Sequence, residues 1–278
     1  MKGEVGFGYD VTEGTTPVAA SASINVTAVN DDPVVTGAVT GTASDDDATF
    51  TVDLLSGATD VDGGSLMVSN LQFTSGNAIG VTANYNDGTL SVDPVDYTYL
   101  GAGVTEDVTY SYDITDGQGG LVTQTATVTI TGTNDVPDIS GDVTGSITED
   151  DALTASGTLL VTDVDANEAF FQAETVSGSY GSLTINEAGA WTYMVDNDRA
   201  DVQGLGAGDA LTDTIPVQSV DGTTQDITIT IDGTNDVPVV SGAITDAVTD
   251  MDATFTVDLL SGATDVDATD TLTVTNLT

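Results

Sequence analysis

The sequence predicts an all-β chain of tandem β-sandwich domains joined end to end, and three observations carry the prediction. Short runs alternating apolar and polar residues, bounded by Gly, Asn and Asp, dominate the chain, while helix formers at helical spacing are almost missing. The signal Asn-Asp-x-Pro recurs as Asn30-Asp31-Asp32-Pro33, Asn134-Asp135-Val136-Pro137 and Asn235-Asp236-Val237-Pro238. Its copies stand about a hundred residues apart, the size of one small domain. A composition of 39% hydrophobic but only 5% aromatic residues suits several thin cores better than one large one.

Taken in order, residues 1–30 read as the tail of a domain. Phe7-Gly8-Tyr9, Thr12-Glu13-Gly14 and Ala20 to Val29 parallel Tyr110-Ser111-Tyr112, Thr115-Asp116-Gly117 and Thr125 to Thr133, the pattern of a terminal hairpin around an acidic-Gly turn. Residues 31–134 form a complete repeat, with strands expected over Thr49–Val52, Leu66–Phe73, Val81–Tyr85, Thr89–Val92, Val108–Ile114 and Val122–Ile130. Asn86-Asp87-Gly88 is its strongest hairpin turn, because Asp-Gly favours the positive φ of a type I′ turn. Alternation places Tyr110 and Tyr112 on one face as a core stripe. Residues 135–235 form a second complete repeat, in which the lone Trp191 alternates as a core residue does. Residues 236–278 restart the cycle and stop halfway, Ala253 to Asp267 repeating Ala48 to Asp62. Such a half-repeat cannot close a core alone, so fraying or partner-dependent order is expected at both ends. Proline forces an extended backbone on the residue before it, so the linkers are expected to be short and straight.

Two basic residues stand against 45 acidic ones, a formal charge of −43. That excludes nucleic acid as a partner, argues equally against anionic membranes, and makes cations the natural partners. There is no Cys and no His. Thiol chemistry, Cys/His zinc sites and the commonest general base are therefore missing, and only oxygen ligands remain. An acidic β chain stabilised by metal rather than disulfides suits a bacterial exterior. Met1 to Asp10 lacks the apolar core of a signal peptide, and no run of about 18 apolar residues occurs, so membrane insertion is not expected and any export address is expected outside this sequence.

Measured from each linker Asn, acidic residues fall in register. A first group contains Asp45, Asp46 and Asp47, then Glu149, Asp150 and Asp151, then Asp250 and Asp252. An Asp-x-Asp follows as Asp60 and Asp62, Asp163 and Asp165, Asp265 and Asp267. One more acid stands in the turn of each last hairpin: Glu13, Asp116 and Asp221. A solvated acidic surface explains scattered carboxylates but not spacing held through three copies. In an Asp-x-Asp at a strand end both carboxylates project to one side, which suits Ca²⁺ with its need for six to eight oxygens.

The second repeat carries the string Gly178-Ser179-Tyr180-Gly181-Ser182-Leu183-Thr184-Ile185, then Gly189-Ala190-Trp191-Thr192-Tyr193, Asp196-Asn197, Leu205-Gly206-Ala207-Gly208 and Leu211-Thr212-Asp213. It resembles the VCBS repeat of very large bacterial surface proteins, and the first repeat resembles the related bacterial cadherin-like type. The resemblance implies immunoglobulin/cadherin-like sandwiches in the extender region of an RTX-type adhesin, although the repeat-in-toxin nonapeptide itself is missing. It also implies interdomain calcium sites like those of cadherins. Carried over, the linker at Asn30 would use Asn30, Asp31, Asp60, Asp62 and Asp116. The one at Asn134 would use one or two of Asp45 to Asp47 with Asn134, Asp135, Asp163, Asp165 and Asp221. The one at Asn235 would use Glu149, Asp151, Asn235, Asp236, Asp265 and Asp267. Asp93, Asp96, Asp196 and Asp198 are weaker candidates. The extra Asp that cadherins carry two positions before the linker Asn is replaced by Ala28, Gly132 and Gly233.

The expected function is structural: a calcium-rigidified spacer, at the bacterial cell surface, that projects a distal adhesive domain for attachment or biofilm formation. Its partners would be calcium ions and neighbouring repeats. A filament or surface-layer subunit completed by strand addition is an alternative. A carbohydrate- or ice-binding module is another, but Thr-x-Thr runs such as Thr127 to Thr129 are what half-exposed strands favour anyway. Catalysis is the least expected class, because the carboxylates recur at joints instead of converging once in a cleft.

Overall fold

The structure, a computed structural model, describes residues 3–248 and 254–278. The chain divides into two compact units, Met1–Asn134 and Asp135–Thr278.

In the first unit, β1 (Gly3–Glu13) and β2 (Thr16–Val26) form the terminal hairpin expected from the sequence. Val5, Phe7, Tyr9, Val11, Ile24 and Val26 are exposed on it, although their counterparts in the complete repeat are core residues. That repeat runs through β3 (Val34–Val35), β4 (Val39–Ser44), β5 (Phe50–Asp53), β6 (Ala58–Thr59), β7 (Met67–Ser75), β8 (Val81–Asn84), β9 (Thr89–Val92), a 3₁₀ turn over Pro94–Tyr97, β10 (Thr105–Thr115) and β11 (Leu121–Thr131). One sheet has the order β4-β11-β10-β7 and the other β5-β9-β8, with β3 paired to β6. Between the sheets lie Leu54, Leu90, Tyr110, Tyr112, Ile114, Val128 and Ile130, so the tyrosine stripe is core as its alternation predicts. The Tyr112 hydroxyl is satisfied inside by the Leu54 carbonyl at 2.8 Å.

The second unit contains β12 (Asp138–Gly141), β13 (Thr144–Thr148), β14 (Thr154–Thr162), β15 (Glu174–Ser177), β16 (Gly181–Ile185), β17 (Ala190–Val195), α1 (Ala200–Gln203), β18 (Ala210–Gln218) and β19 (Thr224–Asp232). Sheets β12-β14-β17-β16-β15 and β13-β19-β18 enclose Leu159, Phe171, Leu183, Trp191, Tyr193, Ile227 and Ile229. Trp191 is 1% exposed, and its indole N–H donates to the Asp142 carbonyl at 2.9 Å. A short pair, β20 (Val239–Val240) with β21 (Ala263–Thr264), begins the next repeat.

Two local expectations need correction. The Asp-Gly hairpin does not form a two-residue type I′ turn. β8 and β9 pair as far as Asn84 and Thr89, so four residues close the loop, and among Tyr85 to Gly88 only Gly88 takes positive φ, at 65°. The Gly88 carbonyl accepts the Leu54 N–H at 2.9 Å, and a Cβ at Gly88 would lie 3.3 Å from Val68 and 3.5 Å from Leu55. The alternation rule also passes over β4 and β13, because Gly41 and Gly145 interrupt them. Each glycine is a close approach: a Cβ there would lie 2.8 Å from Val52 at Gly41 and 2.9 Å from Ile229 at Gly145.

Candidate metal centres at the linkers

Strand pairing decides which acids meet. β3 and β6 are antiparallel with Val34 opposite Thr59, so the residues before β3 and after β6 emerge side by side. There the Asp31 N–H donates to Asp62 Oδ2 at 2.7 Å, and the Asp62 N–H donates to Asp60 Oδ1 at 2.8 Å. β12 and β14 repeat the pattern: the Asp135 N–H meets Asp165 Oδ2 at 2.9 Å, and the Asp165 N–H meets Asp163 Oδ1 at 2.9 Å. β20 and β21 repeat it again, with Asp236 to Asp267 at 2.9 Å and Asp267 to Asp265 at 3.2 Å. In all three copies one oxygen of the second Asp fixes the linker backbone.

The opposite pole is set by a parallel pair. β4 runs alongside β11 and β13 alongside β19, so the acids following β4 and β13 arrive at the residues leading into the next linker. Asp45 Oδ1 accepts the Thr133 N–H at 3.0 Å and its hydroxyl at 2.9 Å, while Glu149 Oε1 accepts the Thr234 N–H at 3.0 Å. Asp46 also accepts the Thr133 hydroxyl, at 2.9 Å. Asp47 folds back instead on the Ser44 N–H at 2.8 Å, and Asp151 is exposed in its turn. Asp250 and Asp252 lie outside the described residues.

The hairpin-turn acids serve their own turns. Asp116 accepts the Gln118 and Gly120 N–H groups at 2.7 and 3.0 Å, and the Asn30 amide at 2.6 Å. The Asn30 bond, followed by these backbone bonds, holds its carboxyl below the ordinary carboxylate value. Asp221 accepts the Ser219 hydroxyl and the Thr223 N–H and hydroxyl, the last two at 3.1 and 2.8 Å. The Asn235 amide donates to its neighbouring Asp236 carbonyl at 2.5 Å. Asp93, Asp96, Asp196 and Asp198 are all exposed.

Three acids were missed by spacing alone. Asp32, where the other linkers carry Val136 and Val237, accepts the Leu121 N–H at 3.2 Å. Glu168 closes the turn after Asp165, its N–H to that carbonyl at 3.3 Å, and Asp270 does the same after Asp267 at 3.2 Å. Burial first, then Asp165, Asp163 and Asp221, raise the Glu168 carboxyl. An acid three positions past two of the Asp-x-Asp pairs was a readable signal.

Among the described residues no three acidic side chains stand as a ready-made metal cage. What the structure supplies is buried carboxylate oxygen without a hydrogen-bond partner: Asp45 Oδ2, Asp60 Oδ2, Glu149 Oε2, Asp163 Oδ2, Asp236 Oδ2 and Asp267 Oδ1. Every one of these belongs to the registered set. A buried polar group left unsatisfied costs about 1–3 kcal/mol, more if charged. This chain repeats the cost at each linker, so the residues fit a hard cation that accepts oxygen ligands. Glu149 is fully buried and Asp267 is 3% exposed. Burial raises the carboxyls of Glu149 and Asp236, and Asp150, Asp267 and each other's neighbourhood of acids raise them further.

Those shifts predict a pH dependence in chelator. A carboxyl raised on folding contributes stability that is complete below its ordinary value, 4.5 for Glu149 and 3.8 for Asp236, and is lost as pH rises through the higher folded value. Asp116 and Asp150 are lowered, so their contribution is lost only as pH falls below 3.8. The metal-free protein should therefore melt higher at about pH 4, near those ordinary values, than at about pH 8. Calorimetric scans across that range check this, and a flat or rising profile contradicts it.

Each complete repeat is thus a two-sheet sandwich with acids beside its linkers. The bacterial cadherin-like domain model matches residues 134–233, and the cadherin-like domain model matches residues 29–131. The chain belongs to the bacterial cadherin-like repeats, carrying two such domains in tandem. No curated protein sequence matches it. Among solved structures it is similar to the human desmocollin-1 ectodomain, at 14% identity over 79% of this chain and 40% of that one, with a TM-score of 0.34. It is also similar to the protocadherin γB4 extracellular domain, at 15% identity over 87% and 39%, with a TM-score of 0.43. Mouse cadherin-23 repeats EC22–24 align at 15% identity over 79% and 71%, with a TM-score of 0.39. The chain spans less than half the length of the first two.

Proposed function

We propose that this chain is a calcium-braced spacer segment of a bacterial surface adhesin, the extender that holds a distal adhesive domain away from the cell. The observation that carries the reading is the set of buried, partnerless carboxylate oxygens at the linkers. Asp45 and Glu149, where the complete repeats end, and the Asp-x-Asp pairs, where the repeats begin, would each offer oxygens to such an ion beside the linker. Ca²⁺ supplies the positive charge and the demand for six to eight oxygens that such a set answers. The chain's own part is to deliver the oxygens: parallel pairing brings one acid to the exit of each repeat, and the linker N–H bond presets the Asp-x-Asp at the entrance of the next. A charge of −43 opposes close approach of repeats, and bound cations offset it. Among the described residues no helix is long and apolar enough to cross a membrane. An extracellular location is part of the proposal, as is the non-enzymatic role.

Small-angle scattering tests it. The maximum dimension should be larger in Ca²⁺ than in chelator, because unbraced linkers sample many angles. Mg²⁺ at the same concentration should leave the chain close to its chelated size, since it demands tight octahedral geometry and sheds water reluctantly. Equal dimensions in Ca²⁺ and chelator would remove the brace, and equal effects of the two ions would remove the calcium site.

A further inference from the structure

The last linker has a second attachment that uses no metal ligand in its main bond. The Ala268 N–H donates to the Gly204 carbonyl at 3.0 Å, and the Thr269 hydroxyl donates to Asp209 Oδ2 at 2.9 Å. The backbones approach closely here. A Cβ on Gly206 would lie 3.3 Å from Thr269 Oγ1 and 3.7 Å from Asp267 Cβ, and one on Gly204 would lie 3.5 Å from the Val266 carbonyl oxygen. The loop that receives them is itself fixed to the second repeat. The Gly204 N–H bonds the Ala200 carbonyl at 3.1 Å, and the Gly233 N–H bonds the Asp209 carbonyl at 2.9 Å. The preceding segment is pinned by Asp150, which sits at φ 57° and accepts the Asn197 and Gln203 amides at 2.6 and 2.9 Å. Asp150, in sequence one of a run of three acids, is thus committed to this scaffold.

We propose that the loop Gly204–Asp209 is a docking surface for the following repeat. It grips residues 266–269 through a backbone pair and a hydroxyl, and so holds this joint without any cation. Its partner is recognised by a small residue with a free N–H direction directly after the Asp-x-Asp, followed by a hydroxyl. The sequence writes the full pair only here: where the second repeat has Gly208-Asp209 the first has Gly103-Val104, and Asn167 stands where Thr269 does. The two linkers are therefore not equivalent, and the interlock stands or falls independently of the calcium reading.

Amide hydrogen exchange on the whole chain in chelator decides it. The Ala268 amide should be protected, with the amides of β19 serving as the fold control. Thr269→Val should speed Ala268 exchange by about fivefold, the worth of one hydrogen bond. Gly206→Val, whose added side chain meets Thr269 before any core residue, should bring Ala268 to the rate of an unstructured amide while β19 stays protected. An unprotected Ala268 in the chelated wild type, whether or not β19 is protected, overturns the proposal. So does protection that survives Gly206→Val. Absence of calcium stabilisation with a protected Ala268 would sink the calcium reading and leave the interlock standing.

Discussion

Moving the chelated protein into Ca²⁺ at about a hundredfold excess over its dissociation constant is expected to raise its melting temperature by about 10–20 °C for each independent site. The figure follows from mass action: an ion that binds only the folded state adds about 2.7 kcal/mol at that excess, and about 1 kcal/mol shifts a domain of this size by several degrees. The sign follows from the carboxylates. Without cation, folding buries Glu149 Oε2, Asp267 Oδ1 and Asp45 Oδ2 with no partner, which weakens the folded state. With cation, the same oxygens become its ligands, so one set of atoms supplies both the loss and the gain. The linker N–H bonds at Asp31, Asp135 and Asp236 lower the ordering cost further, since each already fixes an Asp-x-Asp against its own linker. Coincident melting curves in chelator and Ca²⁺ would mean that the buried oxygens are satisfied by water and that the acids are only structural.

Much of this arrangement was legible as period and register, and the unreadable parts have physical causes. Tyr110, Tyr112 and Trp191 could be placed in the core because alternation along a strand assigns a face without any knowledge of the partner strand. The Asp-x-Asp pairs could be placed at joints because three copies repeat the same offset from the linker Asn. Which acid of each downstream group turns inward could not be read. Asp45 and Glu149 point in because β4 and β13 pair in parallel with β11 and β19, a non-local fact with no sequence period. Asp47, Asp150 and Asp151 are all exposed and look equivalent in composition, yet the first closes a turn and the second anchors Asn197 and Gln203. The hairpin acids show the same limit. Asp116 and Asp221 satisfy their own turn backbone, the usual preference of Asp in tight turns. β4 and β13 escaped notice because glycine in a strand reads as a break unless the close neighbour is known.

Glu149→Gln should stabilise the protein in chelator and blunt its response to Ca²⁺, and that loss of response is the sharpest test of what the buried acid is for. In chelator, Glu149 is a fully buried carboxylate with one oxygen bonded to the Thr234 N–H and the other without a partner, its charged form disfavoured by burial and by Asp150, Asp236 and Asp267. Glutamine has the same shape and keeps a carbonyl for Thr234. Its amide N–H₂ replaces the orphaned oxygen with a donor facing acids, so the variant should melt higher than wild type by about 1–3 kcal/mol of stability. In Ca²⁺ the substitution removes an anionic ligand, and the variant should forfeit most of the roughly 2.7 kcal/mol that the site contributes at a hundredfold excess, which cancels or reverses its advantage, so that Ca²⁺ raises its melting temperature by about 10 °C less than it raises that of wild type. Asp151→Asn makes the same change of charge two positions away on an exposed side chain. It should move neither curve by more than about 0.5 kcal/mol. If Glu149→Gln melts below wild type in both solutions, the acid is held by ordinary hydrogen bonding and the ligand role at this linker is wrong. If Ca²⁺ raises the variant's melting temperature as much as it raises that of wild type, the buried charge is a cost that no cation relieves.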